Sequence, residues 1–361
     1  MRPALVVDSS APDPGALAEA GAVLRRGGLV AFPTETVYGL GARAWDERAL
    51  ARIFAVKRRP VHHPLIAHVL DEAQARELAA LWPERAARLA AAFWPGPLTL
   101  VVERASHVPA AISGGGRSIA VRAPSHKVAR GLIAALGEPI AAPSANVYQG
   151  LSPTTAAHVL KQLGDAVDLV LDGGPSDAGI ESTVVDVRGG GARVLRPGAV
   201  DLAALRAVVA DLETPAGAAR TASDGEARLS PGMDVRHYSP RAPLTLAGAW
   251  RDASDLASRL AAGGVRVGLV ARAVDLEAGR ALTRAGVLVR SLADHPVEYA
   301  RVLYGTLHQL DDEGVGAIVV EAVPPAEAWL AVADRLERAS SGKLGRGQAG
   351  ATGLAKRIGS A

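Results

Sequence analysis

The chain has 361 residues, 49% of them hydrophobic and 21% charged, enough for two cored domains and against wholesale disorder. Aromatics make up only 4%, which argues against a base-stacking single-strand binder, and a net charge of +3 suits an anionic small substrate without demanding nucleic acid. The absence of cysteine excludes disulfides, thiolate zinc sites and cysteine nucleophiles.

Taken in order, residues 1–8 read as a short strand whose apolar run is too brief for a signal peptide. No stretch reaches the roughly 18 apolar residues of a membrane span, so a soluble, cytoplasmic protein is expected. A helix is predicted over 15–26, stopped by Gly27-Gly28, and a buried strand over 29–32. Asp46 caps a helix that runs to Lys57. Strands follow over 64–70, 98–102, 118–121, 139–142, 169–171 and 183–187, with helices over 154–163 and 201–210. Such alternation is an α/β pattern.

Residues 212–243 lack periodicity and are rich in Gly, Pro, Ala, Ser and Arg, the composition of a linker. Its second half, with His237 and Tyr238 between prolines, is too specific for a spacer. Beyond it, strands over 244–246, 265–270, 287–291 and 317–320 alternate with helices over 253–262, 297–310 and 326–339. That order implies a small parallel, Rossmann-like sheet, without the Gly-x-Gly-x-x-Gly of a dinucleotide site. The expected division is a catalytic domain over 1–211, a linker over 212–243 that contributes to the active site, a small domain over 244–343 and a flexible tail over 344–361.

The chemistry concentrates at strand and helix ends. Lys57-Arg58-Arg59-Pro60 closes a helix. Proline biases Arg59 toward extended backbone, where alternate side chains share a face, so Lys57 and Arg59 converge while Arg58 points away and is dispensable. A lysine point charge beside a forked guanidinium suits a polyphosphate. The strand over 139–142 runs into Pro143-Ser144-Ala145-Asn146, small hydroxyl and amide groups where α/β folds place ligands. Thr34, Glu35, Thr36 and Tyr38 form a dense polar cluster after another strand. Arg122 at a strand end requires a carboxylate or phosphate partner if buried. His62, His63 and His68 lack a companion carboxylate at metal-binding spacing. There is no Walker loop, no Gly-x-Ser-x-Gly elbow and no evident covalent nucleophile.

Together these motifs resemble the YrdC-like threonylcarbamoyl-AMP synthases in their long two-domain form. The likeness is carried by the run from Phe32 to Leu40, by Lys57-x-Arg59, and by Pro64-Leu65-Ile66-x-His68. Trp94-Pro95-Gly96-Pro97, Pro143-Ser144-Ala145-Asn146, Ser152-Pro153-Thr154-Thr155, Glu181-Ser182-Thr183 and Arg196-Pro197-Gly198 continue it, and His237-Tyr238-x-Pro240 matches the long form's linker. The fold implied is a twisted open α/β sheet with helices, plus the smaller C-terminal unit. The implied reaction joins L-threonine, bicarbonate or carbon dioxide, and ATP into threonylcarbamoyl-AMP and pyrophosphate, for the anticodon-adjacent threonylcarbamoyladenosine of tRNA.

By the same resemblance, Lys57 and Arg59 serve catalysis by holding the triphosphate. His63, Ser118, Ser144, Asn146, Ser152, Arg196 and Tyr238 complete the ATP contacts. Thr34 or Thr36, His68, Arg122, Ala142 through its backbone, and Ser182 form the threonine pocket. Mg²⁺ is expected with ATP, bound through the nucleotide rather than by a protein metal site. The implied partners are a tRNA threonylcarbamoyl-transferase complex that takes the product and a weak tRNA contact, with no membrane. One position departs from the family, which often has Asn where His63 precedes Pro-Leu. Two rivals remain: a hydrogenase-maturation carbamoyl-adenylating enzyme, whose zinc fingers this cysteine-free chain lacks, and an RNA-binding module gripping phosphates with a broad basic face.

Overall fold

The computed structural model of the protein describes residues 4–214 and 238–340. Most of the expected linker and all of the expected tail therefore lie outside the described residues. Two sheets organise the described residues. The larger has 12 strands, in the order Leu5–Val6, Leu169–Asp172, Val30–Phe32, Gly39–Arg43, Ile140–Ala142, Ile66–His68, Ser118–Arg122, Leu98–Arg104, Thr183–Asp186, Ala192–Arg196 and Leu212–Glu213, with Ala79–Leu81 beside Leu98–Arg104. The smaller runs Leu244–Ala247, Ala317–Glu321, Val267–Arg272 and Val287–Leu292, all parallel.

Leu212–Glu213 pairs in parallel with Ala192–Arg193, so the first two residues assigned to the linker still belong to the sheet. Several elements carried no clear signal in the sequence, among them the strands Gly39–Arg43 and Ala192–Arg196 and the helices Lys127–Leu136 and Leu276–Arg284. Gly39–Arg43 reads GLGAR, too poor in β-branched residues to look like a strand, yet it is sandwiched between two partners.

Each face of the large sheet is covered. Pro14–Arg25 and Lys127–Leu136 close one face, where Leu17, Ala20, Val23 and Leu24 meet Val128, Leu132 and Ile133 in one apolar cluster. Glu47–Lys57 lies in the larger cluster on the other, burying Ala49, Leu50, Ile53 and Phe54 at helical spacing. Asp46 accepts from the backbone N–H groups of Arg48 and Ala49, the capping that starts this helix.

The two regions share a core. Ile180, Leu151 and Val37 of the first join Tyr299, Leu303, Tyr304 and Leu307 of the second in a single apolar cluster. Backbones approach closely there: Gly179 has φ +69°, and a Cβ on it would lie 2.2 Å from the Arg301 carbonyl oxygen. Only glycine fits that contact.

Candidate active site

Helix Glu47–Lys57 ends on Arg58, whose φ of 52° is left-handed. The N–H groups of Arg58 and Arg59 return to the carbonyls of Ala55 and Phe54, closing the last turn. This corrects the expected geometry at Lys57 and Arg59. The left-handed turn, not extended alternation, buries Lys57 and Arg59 and leaves Arg58 exposed.

Lys57 does not reach the open cavity. Its ammonium donates to the carbonyl oxygen of Ser144 at 2.5 Å, to that of Asn146, and to the Asn146 side-chain oxygen at 3.3 Å. Ser144 donates its hydroxyl to Asn146 Oδ1 at 2.5 Å. Lys57 and Asn146 thus form the back of the loop that presents Ser144. Burial, reinforced by the Arg59 charge, pushes the Lys57 pKa well below the ordinary lysine value.

One cavity gathers Thr34, Thr36, Arg59, His68, Arg122, Ala142, Ser144, Ser182, Arg196 and Tyr238 from separate parts of the chain. Of the remaining candidates, Lys57, Asn146 and Ser152 stand directly behind this lining. His63 is buried with its ring edge-on to Tyr148, 5.4 Å between centroids. Ser118 sits at the far end of the strand from Arg122, opposite Glu103 in register.

Arg122 is 3% exposed. Its Nη1 donates to the Thr36 hydroxyl at 2.8 Å, and its Nη2 lies 2.8 Å from Glu35 Oε1, an ion contact without hydrogen-bond alignment. Glu35 is therefore the carboxylate that buried Arg122 required. Burial is the largest influence on Glu35 and works to raise its pKa, but the Arg122 charge and the N–H donors around the carboxylate together hold it below its usual range. Thr34 spends its hydroxyl on the Val37 carbonyl at 2.6 Å, closing the loop. His68 is pushed down to about 3 by burial and by Arg122, so its imidazole is neutral.

Ser182 shares a 2.7 Å hydrogen bond with Thr99 and accepts from Arg196 Nη2 at 3.2 Å. Gly198 makes this junction possible, since a Cβ there would fall 2.3 Å from the Ser182 carbonyl carbon. Glu181, also in the cavity wall, accepts from Ser152 at 2.5 Å. Tyr238 returns from the linker with φ 59° and lies 1% exposed, anchored where Ser239 N–H donates to the Gln149 carbonyl at 2.9 Å.

Among the described residues, three guanidiniums (Arg59, Arg122 and Arg196) line this cavity against one carboxylate, Glu181. Such a balance selects an anion. Sequence reasoning quoted Glu35 and Glu181 in motifs but gave neither a place in the site. Arg335 and Tyr304, which touch Glu181 from the second region, carried no signal at all.

The family model described as "Telomere recombination" matches residues 22–198, and that described as "Threonylcarbamoyl-AMP synthase, C-terminal domain" matches residues 200–341. The threonylcarbamoyl-AMP synthase of Pyrococcus abyssi is 39% identical over 327 residues, covering 89% of this chain and 93% of its own. The chain belongs to the threonylcarbamoyl-AMP synthase family. That of Bacillus subtilis is 35% identical, covering 94% of this chain and 97% of its own. Among solved structures, the crystal structure of P. abyssi Sua5 complexed with L-threonine matches with TM-score 0.86 and 37% identity, over 94% of this chain and 98% of that one. Membership makes the chain an ATP-using enzyme that forms threonylcarbamoyl-AMP for tRNA modification, in the two-domain form of the family. Among the described residues no helix is long and apolar enough to cross a membrane.

Proposed function

We propose that this cavity carries out the reaction in two steps without a protein nucleophile. The threonine amine adds to carbon dioxide, giving a carbamate and releasing a proton. A carbamate oxygen then attacks the α-phosphorus of ATP, and pyrophosphate leaves. Both reactants are anions, so the residues must offset repulsion and align an in-line displacement.

Arg122 pairs with the threonine carboxylate, and Thr36, bonded to Arg122, lies at the same end. Thr34 shapes the loop around them. Neutral His68, the Ala142 backbone and Ser182 complete the threonine pocket. Arg59 and Arg196 meet the phosphates, with Ser144 and Tyr238 beside the nucleotide. Lys57, Asn146 and Ser152 hold this wall in place, while His63 packs beside Tyr148 and Ser118 lies at the far end of the Arg122 strand. Mg²⁺ would enter with the ATP substrate, whose phosphate oxygens are hard ligands for it. We place the reaction in the cytoplasm, with the product handed to a tRNA threonylcarbamoyl-transferase complex and at most weak contact with the tRNA.

The carrying observation is the convergence of three buried guanidiniums on one cavity, with Arg122 set apart by its Glu35 and Thr36 partners. Purified protein given ATP, bicarbonate and threonine should release pyrophosphate only when threonine is present. Release that ignores threonine would remove this reading. Tight tRNA binding without any turnover would favour the RNA-binding alternative.

A further inference from the structure

Arg335, on the helix Leu330–Ala339 of the second region, is fully buried; beside an ion pair with Asp334 of its own helix at 3.1 Å, it reaches into the first region. Its Nε donates to Glu181 Oε2 at 2.9 Å and its Nη1 to the Pro197 carbonyl at 2.6 Å. The guanidinium carbon lies 5.5 Å from the centre of the Tyr238 ring. Tyr304, also from the second region, donates to Glu181 at 3.1 Å.

Glu181 is a buried carboxylate in the wall of a cavity that we read as an ATP site. A bare negative charge there would oppose a triphosphate. Burial alone would raise its pKa, but Arg335 and then Arg196 hold it below the usual range, so it stays ionised. The two cations differ in their exposure to the cavity. Arg196 lines the cavity, whereas Arg335 does not.

We infer that Arg335 is a positioning residue for ATP: it neutralises Glu181 from behind, leaving the Arg196 charge to the phosphates, and it seats the Tyr238 ring against the cavity. This inference rests on the reading of the cavity as an ATP site. It also gives the second region a definite task. Without Arg335, the remaining countercharge for Glu181 is Arg196, and a cation is diverted from the ligand.

The test compares wild type, Arg335→Met and the double variant Glu181→Gln/Arg335→Met. ATP binding is measured by calorimetry, and ATP and threonine KM by threonine-dependent pyrophosphate release. Arg335→Met should weaken ATP binding about tenfold or more while threonine KM stays within about threefold. In the double variant residue 181 carries no charge and Asp334 keeps Arg338 at 2.9 Å, so ATP affinity should recover to within about threefold of wild type. An unchanged single variant, or a double variant as weak as the single, overturns the inference and leaves Arg335 as packing. If Arg335→Met does not fold, as judged by circular dichroism, the double variant decides alone: near-wild-type affinity supports the inference, and a loss of about tenfold or more overturns it. Wild type that binds no ATP would instead overturn the reading of the cavity on which the inference rests.

Discussion

The Lys57 ammonium lies 2.5 Å from the main-chain oxygen of Ser144, joining the end of one helix to a loop 87 residues further along the chain. Two carbonyls and one amide oxygen crowd around a single buried cation. Lys57 is therefore the anchor of the Ser144–Asn146 loop as well as a positive charge behind it.

Lys57→Met should lower both stability and activity. Buried acceptors left without a donor cost about 2 kcal/mol or more, and the displaced loop would carry Ser144 out of line. We expect a lower midpoint in urea and a turnover reduced about hundredfold or more. Unchanged stability would show that the carbonyl cage is not what Lys57 sustains.

Arg58 should be dispensable. It is exposed and occupies a left-handed position that glycine adopts without strain. Arg58→Gly should keep wild-type turnover and gain about 0.5–1 kcal/mol of stability in denaturant melts. A large loss of turnover would place Arg58 at the ligand after all.

Arg122→Lys keeps the charge but loses the fork that meets Thr36 and Glu35 together. Threonine KM should rise roughly tenfold to hundredfold, with ATP KM changed far less. Equal rises in both would mean that Arg122 serves the whole cavity rather than the amino acid.

His68 supplies a pH signature. Its folded pKa, about 3, lies below the ordinary 6.5, so the unfolded chain takes up the proton first as pH falls. The stability it contributes is complete above pH 6.5 and declines as pH falls toward 3. Between pH 7 and pH 5 this amounts to roughly 2 kcal/mol. Wild type should lose stability over that interval, and His68→Gln should lose about 2 kcal/mol less, measured by denaturant melts at each pH. Equal losses would mean that His68 does not stay neutral when folded.

Much of this site was legible because α/β folds place polar side chains at the ends of apolar strands. Arg122 ends Ser118–Arg122, Ser144 follows Ile140–Ala142, and Thr34 follows Val30–Phe32, each beside a readable run of core residues. Lys57 and Arg59 were expected to converge on one ligand, whereas Arg59 lines the cavity and Lys57 turns to the Ser144–Asn146 loop, because a left-handed arginine between them leaves no mark in composition. Arg335 was invisible for a different reason. It sits 154 residues from Glu181 in an ordinary Arg/Ala/Leu helix, and only tertiary contact turns it inward. Gly179 and Gly198 serve close backbone crossings, a use that composition does not mark.

The most direct test of the account follows the carbon of bicarbonate. The enzyme is incubated with ATP, L-threonine and isotope-labelled bicarbonate, and the adenylate products are identified by mass spectrometry. We predict one adenylate carrying both threonine and the labelled carbon, formed in step with pyrophosphate and greatly reduced in Arg122→Lys at low threonine. An adenylate that lacks the label, or label incorporated without threonine, would contradict the assignment of this cavity.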